Sequence, residues 1–125
     1  MDKHQIREQV FRIIFGIGFQ KDVDPEILIA QYIDDSCDCE LRDSDRRKIT
    51  GKVLAVNGKI PELDERIDAV TEGWKTRYMG RAELNILRIA VYEILYDDTV
   101  PEKVAINEAV ELAKEYCNDE APAFI

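Results

Sequence analysis

The chain of 125 residues carries 26 acidic and 17 basic side chains, a formal net charge of −9, with 46% hydrophobic and 34% charged residues. That length suits one domain with a real core, and the balance excludes a disordered chain. No apolar run reaches the length of a membrane span, and the opening MDKHQIREQ lacks a signal peptide's apolar stretch, so a cytoplasmic protein without membrane contact is expected.

Helical periodicity dominates in chain order, and no persuasive period-two strand interrupts it. Ile6, Val10, Ile13, Ile14 and Ile17 share one face of a first helix, which Gly18 can close. Asp24 before Pro25 is a cap followed by proline at the first helical position, and Leu28, Ile29, Tyr32 and Ile33 supply the second helix's apolar stripe. An acidic loop with two cysteines spans Asp34 to Arg42. A third helix starts at Asp43 or Ser44, runs through Ile49, Val53 and Val56, and stops at Asn57-Gly58. Pro61 begins a fourth, with Leu63, Ile67, Val70 and Trp74 on one face and Gly73 and Gly80 marking a break near its end. From Arg81 to Tyr96 the chain is apolar on more than one face, the pattern of a helix in the middle of a bundle. After Asp97-Asp98-Thr99 and Pro101, a last helix shows Ile106, Ala109, Val110 and Ala113 in register. Short connections favour antiparallel neighbours in a single all-α bundle.

The negative total hides a segregated layout. Residues 1–20 hold Lys3, Arg7 and Arg12 against Asp2 and Glu8, a net of +1. Residues 46–52 hold Arg46, Arg47, Lys48 and Lys52 with no acid, a net of +4. Residues 75–88 hold Lys75, Arg77, Arg81 and Arg88 against Glu83, a net of +3, whereas residues 89–125 carry a net of −7. Such a chain can touch phosphates locally while its overall field repels RNA. Weak binding, strengthened by a basic partner, is the physical expectation.

Chemistry-bearing motifs are scarce. Cys37, Asp38, Cys39 and Glu40 lack both the spacing and the second ligand pair of a zinc site, and Asp34 to Glu40 lacks the glycine of a calcium loop, so neither metal nor cofactor is expected. Three cysteines, an odd number, read as reduced thiols. His4 is the sole histidine, no nucleophile has a plausible base, and no glycine loop cradles phosphate. The expectation is a protein that is not an enzyme.

The run AELNILRIAVYEILYDDTVPEKVAINEAVELAKEY, Ala82 to Tyr116, closely resembles the signature half of the NusB family. Pro101, Asn107 and Glu108 within it are not dictated by helix periodicity. IREQVFRIIF resembles the family's opening helix more loosely, and Leu63-Asp64 with Ile67 matches its mid-chain pattern. The resemblance implies an all-helical domain over residues 1–125, about six to seven helices arranged as two three-helix sub-bundles. It further implies transcription antitermination through binding of boxA-type leader RNA with NusE, a basic small-subunit ribosomal protein, in a complex with other Nus factors and RNA polymerase. Some relatives self-associate, which brings a homodimer into range. The sequence departs from the family at Lys3, His4 and Gln5, where several arginines are usual. It also stops at Phe124-Ile125, where members continue through Asn-Gly-Val-Leu, so a family segment after Ile125 is expected to be missing.

Carried over residue by residue, the resemblance marks Arg7, with Lys3, His4 and Arg12, as RNA contacts on the opening helix, and Phe15 as its aromatic. Cations and aromatics on one face can hold phosphates and stack unpaired bases; the same residues also fit a solvated face with two phenylalanines in the core. Glu83 falls on the acid associated with NusE contact, and equally suits the positive end of its helix. Glu120 and Phe124 fall in a C-terminal loop bordering the RNA surface in relatives, where Phe124 could equally anchor the tail. Arg46, Arg47 and Lys48 read as a solvated helix face, and Arg88 as an ion-pair partner of an acid. Two alternatives remain open: an RNA-binding fragment of a ribosomal-RNA cytosine methyltransferase, which would need a further cofactor domain, and a helical scaffold without an RNA role.

Overall fold

In the computed structural model, residues 3–18, 24–36, 43–70 and 79–117 are described. All six elements there are α-helices: α1 (Lys3–Ile17), α2 (Pro25–Ser36), α3 (Asp43–Asn57), α4 (Ile60–Val70), α5 (Arg81–Tyr96) and α6 (Glu102–Tyr116). They divide three and three between two units, Met1–Gly58 and Lys59–Ile125. No described helix is long and apolar enough to cross a membrane.

In the first unit the spacing of large apolar residues sets the core. Val10, Phe11, Ile13 and Ile14 of α1 meet Ile29 and Ile33 of α2 and Ile49, Val53 and Val56 of α3, all buried. Removing each Ile-sized side chain from water stabilises by about 1.5–3 kcal/mol. Ile6 and Ile17, at the ends of the expected stripe, are only half-buried. The helix ends form as their chemistry requires. Asp24 Oδ1 accepts the Glu26 N–H at 3.0 Å, and its carbonyl accepts the N–H of Ile27 at 3.0 Å. Gly58 closes α3 by donating to Leu54 O at 2.9 Å; a Cβ there would stand 3.3 Å from that oxygen, which favours glycine. Between α1 and α2, the Tyr32 hydroxyl donates to Gln9 Oε1 at 2.9 Å.

In the second unit α5 packs against both α4 and α6. Leu63 and Ile67 of α4, Ile86, Ile89 and Ala90 of α5, and Ala105, Ala109, Leu112 and Ala113 of α6 are buried. The α5–α6 turn is organised by Asp97, whose Oδ1 accepts the Thr99 N–H at 3.1 Å and the Thr99 hydroxyl at 2.5 Å. Two expectations hold only in part. On α6, Ala109 and Ala113 are buried, but Ile106 is 44% exposed and Val110 half-buried, and Ala105 and Leu112 complete the inward stripe. Ile94 and Leu95, expected within the bundle, are exposed at the last turn of α5, whose central position holds only over its first three turns. Trp74, Gly73, Lys75 and Arg77 lie outside the described residues, as does the Cys37–Glu40 segment.

Candidate nucleic-acid interface

The opening helix presents a thinner cationic surface than its sequence suggests. At about 100° per residue, Gln5, Arg12 and Gly16 fall opposite the buried stripe, and all three are exposed. Arg12 Nη2 lies 2.9 Å from Glu8 Oε1 one turn earlier, a surface pair worth under about 1 kcal/mol and readily exchanged for a phosphate. Lys3 is exposed at the helix start, and His4 is half-buried.

Arg7, which the resemblance marks as an RNA contact, is only 6% exposed, on the arc of Val10 and Ile14. A guanidinium there must be paired, and no buried side-chain nitrogen or oxygen among the described residues lacks a partner. Arg7 therefore has a structural environment, and the accessible cations of α1 are Lys3 and Arg12. The two phenylalanines also separate: Phe11 is 3% exposed, while Phe15 is half-buried. Their rings stand 6.1 Å apart at 45°, so the buried ring orients the accessible one.

Glu83 occupies the first turn of α5, after the N-cap Gly80, which supplies no side-chain cap. Its carboxylate folds back against Gly80, in the space a side chain there would fill. It is half-buried, and its charge acts on Cys117 just past the end of α6. Burial first, and the Glu83 charge second, push the Cys117 thiol above its ordinary value. Glu120 and Phe124 lie outside the described residues.

The firmest polar constellation joins α4 to α5. Arg88 Nε and Nη2 donate to the two oxygens of Asp64 at 2.7 and 2.8 Å, while Nη1 donates to Asn85 Oδ1 at 3.1 Å. Asn85 in turn donates through Nδ2 to Arg81 O at 2.9 Å. This fork occupies the guanidinium on three sides and withdraws Arg88 from any RNA surface. The sequence marks Arg88 as an ion-pair partner of an acid, and no local pattern points to Asp64, 24 residues away. Buried Glu93 and Asp45 carry no sequence signal: Glu93 interrupts an apolar stretch as an ordinary surface acid would, and Asp45 lies within the charged run DSDRRK. At the outer end of α5, the Tyr96 hydroxyl donates to Glu62 and Lys59 Nζ sits 4.4 Å from the ring centroid. That hydrogen bond is the main cause holding the exposed phenol above its ordinary pKa.

Residues 4–125 match the family model described as the NusB family. A curated relative from Agathobacter rectalis, named transcription antitermination protein NusB, is 42% identical over 128 residues, covering all of this chain and 94% of that protein. Among solved structures, NusB of T. maritima superposes with a TM-score of 0.88 at 24% identity, over 99% of this chain and 84% of that one. A structure of the antitermination factors NusB and NusE in complex with double-stranded RNA superposes with a TM-score of 0.82 at 18% identity, over 99% and 91%. At these identities the two structures establish the fold.

Proposed function

Because this chain belongs to the NusB family, we propose that it acts in transcription antitermination, binding boxA-type leader RNA together with NusE as part of the elongation complex of RNA polymerase and other Nus factors. The observation that carries the reading is the family match across residues 4–125, with full-length likeness to a relative named for antitermination. A structure of the same fold, in which NusB and NusE are bound with double-stranded RNA, supports the kind of partner. The RNA is held on α1 through Lys3, His4 and Arg12, with Phe15 as a stacking surface. Arg7 supports that helix from within. Phe124 and Glu120 border the RNA in this reading, and Glu83 meets the basic partner.

The division of charge fits binding in company. A chain of net charge −9 gains little from RNA phosphates unless a cationic protein shares the surface. Against the methyltransferase alternative stands the Agathobacter rectalis protein, which is named for antitermination and of which this chain covers 94%. The test is anisotropy with boxA-type RNA in the presence of NusE. Replacing Lys3 and Arg12 together by alanine should weaken binding and flatten its salt dependence without moving the melting temperature. Undiminished affinity would reject α1 as the RNA face.

A further inference from the structure

The cations of α3 stand in an arrangement that the helix itself does not explain. Arg46, Arg47 and Lys48 are exposed in the N-terminal half, and the last turn, where the helix dipole would favour a positive charge, has none. Lys48 and Lys52 face each other one turn apart, a like-charge pair that costs an isolated helix a few tenths of a kcal/mol. Asp45, one of the two acids of α3, is buried on the core arc with Ile49, Val53 and Val56.

Helical rotation places Ser44, Gly51 and Ala55 in one strip away from that core, with Arg47 along one edge and Lys48 along the other. Ser44 and Gly51 are exposed, Ala55 is half-buried, and nothing lies within 4 Å of where a Cβ on Gly51 would stand. The result is a shallow, small-residue strip between two cations, open to close approach. None of the exposed large hydrophobic residues lies on α3. A protein partner ordinarily needs an apolar or aromatic centre, whereas a sugar-phosphate strand needs cations and clearance.

We infer that this outer face of α3 is a second RNA contact, gripping the phosphodiester backbone through Arg47 and Lys48 without regard to sequence. The inference rests on the RNA-binding reading above and extends it to nucleotides flanking the boxA-type element. The first RNA contact, on α1, reads the element; α3 holds what continues from it.

The experiment compares two RNAs, a bare boxA-type single strand and the same strand continued into hairpin stems, with the full chain and NusE. Affinities of wild type and of the double variant Arg47→Ala, Lys48→Ala are followed by anisotropy from 50 to 200 mM salt. Two lost phosphate contacts remove close to two counterions, so over that range wild type should lose about tenfold more affinity for the extended RNA than the variant does. Both proteins should bind the bare strand alike, and an unchanged melting temperature shows that the variant is folded. Coincident salt slopes on the extended RNA overturn the inference while leaving the RNA-binding reading intact, and would leave the face to an acidic protein. An equal loss on both RNAs also overturns it. Failure of wild type to bind the bare strand with NusE removes the reading itself, and the inference with it.

Discussion

Truncating Arg88 to alanine should destabilise the second unit by about 2–3 kcal/mol, and the structure supplies the parts of that figure. The guanidinium makes two hydrogen bonds to Asp64 and one to Asn85, at 2.7, 2.8 and 3.1 Å. Hydrogen bonds to charged groups contribute about 1.5–3 kcal/mol where they are well shielded. The Arg88 and Asp64 side chains are 16% and 24% exposed, so water replaces part of what is lost, and the 3–5 kcal/mol of a fully buried broken pair is an upper bound. Asp64→Ala should cost about 1.5–2 kcal/mol, and the double variant should recover about 1–2 kcal/mol of coupling. For a chain of this length such losses lower the melting temperature by roughly 6–10 °C. Lysine at position 88 should restore little, because a point charge cannot make the fork. The assay is urea unfolding of the four proteins of the double-mutant cycle. Single losses below about 0.5 kcal/mol, or coupling indistinguishable from zero, would show that the pair does not hold α4 to α5.

Arg7→Ala should lower stability by more than about 1 kcal/mol whereas Arg12→Ala should stay within about 0.5, because only Arg7 is buried; equal, small effects in thermal melts would reject its structural role. Leucine at Ala109 should destabilise by about 1–3 kcal/mol through overpacking while Ile106→Ser stays near neutral, and the reverse order in urea titrations would mean that α6 faces its core on the other register. The Cys117 thiol, raised by burial and by the Glu83 charge, should alkylate more slowly than a free thiol near neutral pH, with the rate rising as pH approaches its elevated pKa. Glu83→Gln should shift that pH–rate profile to lower pH; an unmoved profile would separate the two side chains. Glu83→Lys should lose affinity for NusE, and retained affinity by calorimetry would remove the acid from the partner surface.

The all-helical architecture was legible because its signals are local: Asp24-Pro25, Asn57-Gly58 and the four-and-three spacing of large apolar residues each act within a turn or two. The errors share a different cause. On α6 both flanks of the helix are apolar, and burial goes to the arc of Ala105, Ala109, Leu112 and Ala113, leaving Ile106 outside. Which apolar flank meets the neighbouring helix is settled by packing between helices, not by the hydrophobicity of either flank. The burial of Arg7 is not legible because a long stem can carry its charge inward once a partner exists, and that partner is a matter of tertiary packing. The Asp64–Arg88 fork joins residues 24 apart, which no local pattern reports. For the candidate site, Lys3 and Arg12 are exposed and Phe15 is half-buried, and the α3 face is visible only once exposure separates Asp45 from the cations beside it.

The most direct test of the central claim is a titration of boxA-type RNA with this protein, alone and with purified NusE, across several salt concentrations. The charge layout predicts weak, steeply salt-dependent binding alone and a gain of at least about tenfold in NusE's presence. Binding equally tight with and without NusE, or no binding in either case, would contradict it.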